Sequence, residues 1–174
     1  MTHGRLVNFT RPIQFLAVFI GVYAALEAIY FAVPDPFLLD VVYHDIVAAS
    51  ADVIRLITPQ EAVKTIANRL QSGGAALEVV RGCDGAGVMF MLSAAMAASS
   101  APLWYKVAGV LAATVLVVVL NQARIVTLYY LAVYRKEWFL PVPVYFAPTF
   151  MIAVSGIFFA TWAMVGRTPA RAAA

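Results

Sequence analysis

Residues 106–134 read KVAGVLAATVLVVVLNQARIVTLYYLAVY. From Lys106 the run stays apolar to Leu120, then passes through Asn121-Gln122-Ala123-Arg124 and continues apolar to Tyr134. A helix that crosses a bilayer needs about 20 mostly apolar residues, and this stretch supplies them. Three further runs flank it. Ile13–Val33 is entered by Arg5, Arg11 and Pro12 and closed by Pro34-Asp35-Pro36; Gly85–Ala101 is short, alanine-rich and ends at Pro102; Tyr145–Val165 is followed by Arg167 and Arg171. The first run has no small-x-small cleavage site beside a short apolar core, so it is expected to be a retained anchor.

Composition agrees. The chain has 174 residues, 63% of them hydrophobic and 12% charged, with a mean hydropathy of +0.86. Soluble domains carry roughly 25% charged residues, so too little polar surface remains to cover a water-facing globule. A soluble enzyme is excluded. The net charge of +3 is small and scattered, which argues against a nucleic-acid partner. One cysteine forbids an internal disulfide, and two histidines, His3 and His44, make a zinc site improbable. No metal and no cofactor is expected, and the evident partner is the lipid membrane.

The expected fold is a single all-α membrane domain over 1–174, with spans at about 13–33, 85–101, 106–126 and 145–165. An outer segment, 34–84, holds about half of the charges. Four spans put both termini on one side, with Arg5, Arg11, Lys106, Arg167 and Arg171. The positive-inside rule makes that side cytoplasmic, although Arg135 and Lys136 fall opposite. Within the outer segment Phe37–Ile57 is amphipathic: Asp40, His44, Asp45, Asp52 and Arg55 share one sector, while Leu39, Val42, Ile46, Val53 and Ile57 occupy the other. The pattern fits an interfacial helix; a helix packed on the bundle reads similarly. Thr58-Pro59-Gln60-Glu61 has the form of a capped helix start. Ser72-Gly73-Gly74 then breaks the chain, and Ala76–Val80 suits a short strand of a hairpin.

Two points carry chemistry. Arg81-Gly82-Cys83-Asp84-Gly85-Ala86-Gly87 sets the only thiol among three glycines where the outer segment meets the second span. Asp84 is the expected N-cap, and a thiol at a helix N-terminus has its thiolate stabilised by free N–H groups; the plain alternative is a small buried cysteine. The second point is Asn121-x-x-Arg124. Lys106 to Arg124 is 18 residues, roughly 27 Å of helix, close to the hydrocarbon thickness of about 30 Å. Arg124 thus reaches the depth of Cys83, either as a site residue or as a snorkelling arginine. Glu27 pairs with Arg124, or sits protonated or near water. Glu78, Arg81 and Asp84 read as solvated loop charges, and His44 as exposed. Trp104, Tyr105, Tyr129, Tyr130, Tyr134, Trp138 and Phe139 read as an interfacial aromatic belt.

Glu78-Val-Val-Arg-Gly-Cys83-Asp84-Gly85 followed by Asn121-Gln-Ala-Arg124-Ile-Val126 resembles the exosortase/archaeosortase family of membrane transpeptidases over roughly residues 12–166. The short chain and the stretches Leu38–Asp40 and Leu56–Pro59 are most similar to the exosortase M or H branches. The resemblance implies a protein-sorting activity at the outer face of a bacterial inner membrane. Its partners would be secreted proteins bearing a C-terminal motif, a transmembrane segment and a basic tail. It also implies Cys83 as thioester-forming nucleophile and Arg124 as the group stabilising charge at the scissile carbonyl, with Asn121, Asp84, Gly85, Glu27 and His44 as supporting candidates. One departure stands out. The family's third catalytic residue is a histidine, or an arginine in the archaeal branch, and alignment puts that position at Pro143. Proline neither shuttles a proton nor donates a hydrogen bond. Three functions therefore compete: a cysteine transpeptidase, a relative that binds such anchors without cutting them, and an unrelated four-span subunit of an envelope or transport complex.

Overall fold

Among the described residues, three stretches become helices long and apolar enough to cross a membrane: α1 (Thr10–Ala32), α5 (Leu103–Tyr134) and α6 (Ala147–Val165). α4 (Ala86–Ala98) lies between α1 and α5 in sequence. The computed structural model describes residues 10–73, 75–139 and 142–166. His3, Arg5, Pro141, Arg167 and Arg171 lie outside the described residues.

Prolines set the helix limits. Pro34 follows the end of α1, Pro102 precedes α5, and Pro148 occupies the first turn of α6, where its missing N–H costs nothing. Ile29, Leu111, Val115 and Ile157 stand more than 60% exposed on these helices. Water would make such surfaces costly; hydrocarbon does not. The chain is a multi-pass membrane protein.

The run 85–101 is helical over less than its expected length. Thirteen residues, Ala86–Ala98, form the helix, about 20 Å against a hydrocarbon core of about 30 Å. Ser99 turns extended, its hydroxyl bonds the Met96 carbonyl at 2.6 Å, and Pro102 lies two residues beyond Ser100. α4 packs against α1, α5 and α6, with Leu92 and Met96 buried against Ala113, Val117 and Met151. α5 is longer than expected: its 32 residues extend about 48 Å, and its C-terminal part stands beneath the outer segment.

That segment begins with α2 (Asp35–Leu38), a π-type turn over Leu39–Tyr43, and α3 (His44–Ile57). The buried stripe is Tyr43, Val47, Ser50, Ala51 and Ile54, at helical spacing, and α3 packs on α5. The expected apolar face is therefore rotated. Leu39, Val42 and Ile46 are half-buried, whereas Val53 and Ile57 are exposed. Asp40, His44, Asp45, Asp52 and Arg55 are exposed as expected. A polar tie fixes the contact: Ser50 Oγ sits between Gln122 Oε1 and the Ile46 carbonyl, which also accepts the Gln122 amide at 3.3 Å.

Thr58-Pro59-Gln60-Glu61 starts no helix. Thr58 ends α3 at φ −134° and ψ 81°, and its hydroxyl pairs with Tyr130 at 2.6 Å. The Glu61 carboxylate accepts the hydroxyls of Tyr129 at 2.8 Å and Tyr134 at 2.5 Å. Partners on α5 thus override the local capping pattern. The chain continues as a three-stranded antiparallel meander, β1 (Lys64–Ile66), β2 (Arg69–Ser72) and β3 (Ala75–Glu78), in the order β1-β2-β3. It is one strand more than the expected hairpin. Leu70 and Leu77 pair across it and join Ile54, Val79 and Ile125 in the outer core.

The aromatic belt separates into two groups. Trp104, Tyr134 and Trp138 are more than half exposed, but Tyr129 is wholly buried, and Tyr105 stacks on Trp162 while donating to its carbonyl at 2.8 Å.

Glu61 supplies a pH-dependent term. The hydroxyls of Tyr134 and Tyr129 hold its carboxyl below the ordinary carboxylate range. A lowered folded value contributes stability that is present above the unfolded value of about 4.3 and is lost as pH falls through the folded one. Thermal unfolding in detergent micelles should therefore show a stability loss on acidification, and Glu61→Gln should lack that part of the acid dependence. Identical pH dependence in both chains would contradict it.

Candidate active site

The link from β3 to α4 is built on two glycines. Gly82 has φ +87° and Gly85 has φ +83°, values L side chains rarely adopt. The Cys83 N–H closes the turn onto the Val80 carbonyl at 2.8 Å. Gly85 is also short of space: a Cβ there would lie 3.1 Å from Val117 Cγ1 and 3.5 Å from Asn121 Cβ. The loop is therefore pressed on α5 one turn before Arg124, and Cys83 Sγ comes to 4.0 Å from Arg124 Nη2.

Arg124 is half-buried, and none of the ion pairs among the described residues includes it. Its Nε is buried with no hydrogen-bond partner. Asn121, one turn earlier on the same face of α5, is 3% exposed, and its Oδ1 is likewise unpartnered. Buried polar groups are ordinarily satisfied, so each exception needs a reason. A thiol and a cation without a carboxylate are what acyl transfer uses: a nucleophile, and a donor for the developing oxyanion; the open Asn121 Oδ1 can only accept a hydrogen bond.

The cap of α4 differs from the expected one. The N-cap is Gly85, not Asp84. The Asp84 carboxylate nevertheless takes the first free N–H, that of Ala86, at 3.1 Å. Its other oxygen accepts the hydroxyl of Tyr30, which lies 3.1 Å from that of Tyr43. Burial pushes the Tyr43 hydroxyl up from its ordinary value. Asp84 is thus a bonded group rather than a solvated charge.

Arg81 needs the same correction. It donates to the carbonyls of Tyr30 at 2.6 Å and Val33 at 2.9 Å, and pairs with Asp35 at 2.6 Å. Its guanidinium lies over the rings of Tyr30 and Phe31 at 4.7 and 5.3 Å. The Asp35 carboxylate raises its already high value further. The clamp satisfies carbonyls left open at the end of α1 and locks the cysteine loop to that helix. Glu78 pairs with Arg69 at 3.0 Å.

Glu27 and His44 make their contacts with other groups. Glu27 does not meet Arg124; it interacts with Tyr23 on its own helix and comes within 3.7 Å of the Cβ position of Gly87 on α4. His44 is 55% exposed, and its contact is Asp45 at 3.4 Å; its neighbour Tyr43 is the residue that turns inward. Pro143 lies in the π-type turn Val142–Phe146 that leads into α6. Sequence reasoning passed over Tyr30, Tyr43 and Gln122. The recurrence of Tyr23, Glu27 and Tyr30 at helical spacing on α1 was the available signal for a polar seam.

No curated protein and no solved structure matches the chain. The family model for the transmembrane exosortases matches residues 17–166, a range that includes Cys83, Arg124 and the turn at Pro143.

The site geometry sets an expected reactivity. The Arg124 guanidinium, 4.0 Å from the sulfur, attracts negative charge that develops there, by about 1 kcal/mol even at the dielectric of water. Alkylation of Cys83 by iodoacetamide at neutral pH should therefore slow about fivefold in Arg124→Gln. An unchanged rate would show that the two groups do not interact.

Proposed function

Because the chain belongs to the transmembrane exosortase family, we propose that it is a membrane cysteine transpeptidase that cleaves C-terminal sorting signals of exported proteins and passes them to an acceptor. The observation that carries this reading is the 4.0 Å contact of Cys83 Sγ with Arg124 Nη2, beside the unpartnered Asn121 Oδ1 and Arg124 Nε. In the reaction the Cys83 thiolate attacks the scissile carbonyl carbon, and Arg124 stabilises the oxyanion. Collapse breaks the peptide C–N bond as the leaving nitrogen takes up from water the proton that the thiol gave up, and the thioester left on Cys83 is then resolved by an acceptor nucleophile. Gly82, with open space where a Cβ would stand, lets substrate backbone approach the thiol.

The same reading assigns a bacterial inner membrane, with α4 as a short fourth pass, both termini cytoplasmic, and Cys83 and Arg124 at the outer interface. Roughly 27 Å of α5 between Lys106 and Arg124 supports that depth. The match to residues 17–166 removes the alternative of an unrelated transport subunit. Pro143 keeps the non-catalytic reading in play, since loss of a general acid/base typically costs about 10²–10⁴-fold in rate. A relative of that kind would hold the signal's transmembrane segment without cutting it.

Co-expression with an exported protein that carries a C-terminal motif, span and basic tail distinguishes the two. Cleavage abolished by Cys83→Ala, with capture of the partner retained, is the result expected of the transpeptidase, and His44→Ala should leave cleavage unchanged. Capture without cleavage in the wild type, converted to cleavage by Pro143→His, would establish the non-catalytic reading instead.

A further inference from the structure

The outer sheet has two edges, and one of them ends at Cys83. In the order β1-β2-β3, β3 has a strand on one side only. Its ladder pairs Ser72 with Ala75 and Leu70 with Leu77, and continues one step further, where the Val79 N–H bonds the Asn68 carbonyl at 2.9 Å. Hydrogen-bonded and non-hydrogen-bonded pairs alternate along an antiparallel ladder. The backbone groups of Ala75, Leu77 and Val79 therefore point to β2, and those of Ala76, Glu78 and Val80 point outward. Among the described residues, the outward groups of Ala76 and Glu78 have no hydrogen-bond partner. α5 packs on β3 from the buried face, where Leu77 shares a core with Ile125, while Ala76, Glu78 and Val80 are exposed. The outward carbonyl of Val80 accepts the Cys83 N–H at 2.8 Å. The turn through Arg81 and Gly82 thus brings Cys83 back to the open side of the strand.

We infer that the open edge of β3 is the docking site for the extended motif of a sorting signal, which adds to the sheet as a fourth strand. The inference rests on the transpeptidase reading and names the surface that presents the substrate. A strand edge offers a row of unpaired N–H and C=O groups, and an extended peptide satisfies them through its own backbone. The occupant follows from continuity: the row ends at the residue proposed to attack a peptide carbonyl. β3 runs from Ala75 toward Cys83, and the chain then enters α4. In a signal the motif likewise precedes the transmembrane segment, so the added strand runs parallel to β3. Ala76 to Val80 spans roughly 13 Å, the reach of about five extended residues. The last of them lies opposite Val80, where Cys83 closes the row, and Gly82 leaves open space on the approach. The far edge of the sheet lacks this continuity. There Lys64 and Ile66 pair with Gln71 and Arg69, whose backbone groups face β1, so the outward groups are those of Thr65.

The test uses the full-length protein co-expressed with an exported protein that carries a C-terminal motif, span and basic tail. In a Cys83→Ala background, p-benzoylphenylalanine in place of Ala76 should photocross-link to the residues that precede the partner's span. The same group in place of Lys64 should not. Lys64 lies in the same row and on the same exposed face, but two strands away, about 10 Å. With Cys83 present, Ala76→Pro removes an outward N–H and leaves the bonds to β2 in place; cleavage should fall on the order of tenfold. Thr65→Pro makes the same change on the far edge and should leave cleavage unchanged. An unaltered rate of Cys83 alkylation by iodoacetamide in Ala76→Pro verifies that the loop has kept its place. No cross-link from position 76, equal cross-linking from both positions, or full cleavage in Ala76→Pro overturns the inference. A cross-link from position 76 with no cleavage by the wild type instead overturns the transpeptidase reading and leaves the strand addition standing.

Discussion

A guanidinium in a membrane-spanning helix, half-buried and without a carboxylate, is the constraint around which this structure is arranged. Charged side chains in such helices are costly and are normally paired or hydrated. Arg124 has Cys83 Sγ at 4.0 Å, and its Nε has no partner. Leaving the guanidinium without a carboxylate keeps its charge available for a thiolate or an oxyanion. An ion pair would have quenched it.

Everything that holds Cys83 at that distance is set outside the thiol itself. Gly85 lets the loop lie against Val117 and Asn121 at φ +83°, where a Cβ would crowd Val117. Arg81 ties the loop to the end of α1 through two carbonyls and Asp35. Gln122, adjacent to Asn121, anchors α3 to α5 through Ser50 and the Ile46 carbonyl. The meander buries Leu70 and Leu77 in the same core as Ile125, the residue after Arg124. α4 does not need to be a full-length span for this purpose; it needs to begin at Gly85 and to pack between its neighbours.

The helical membrane class and the three long runs were legible from apolar length and proline punctuation. Cys83, Asn121 and Arg124 were legible because a lone thiol among glycines and an arginine in an apolar run are both chemically conspicuous. Other features depended on tertiary partners and were not. Thr58-Pro59-Gln60-Glu61 satisfies every local rule for a helix start, but Thr58 and Glu61 are claimed by Tyr130, Tyr129 and Tyr134, distant in sequence. Arg81 and Asp84 read as solvated because nothing local marks the open carbonyls of α1 or the hydroxyl of Tyr30. The rotated face of α3 has a related cause: Ser50, a polar residue, is buried because Gln122 meets it, which an apolar-stripe count scores the wrong way.

The most direct test of the central claim is to look for the covalent bond itself. The protein would be purified after co-expression with an exported protein bearing a C-terminal motif, span and basic tail, quenched in acid without thiols, and digested for mass spectrometry. A hydroxylamine-labile acyl adduct on the peptide that contains Cys83, absent from Arg124→Gln, is the expected result. Cleaved partner with Cys83 unmodified in every sample, and with cleavage surviving Cys83→Ala, would contradict it.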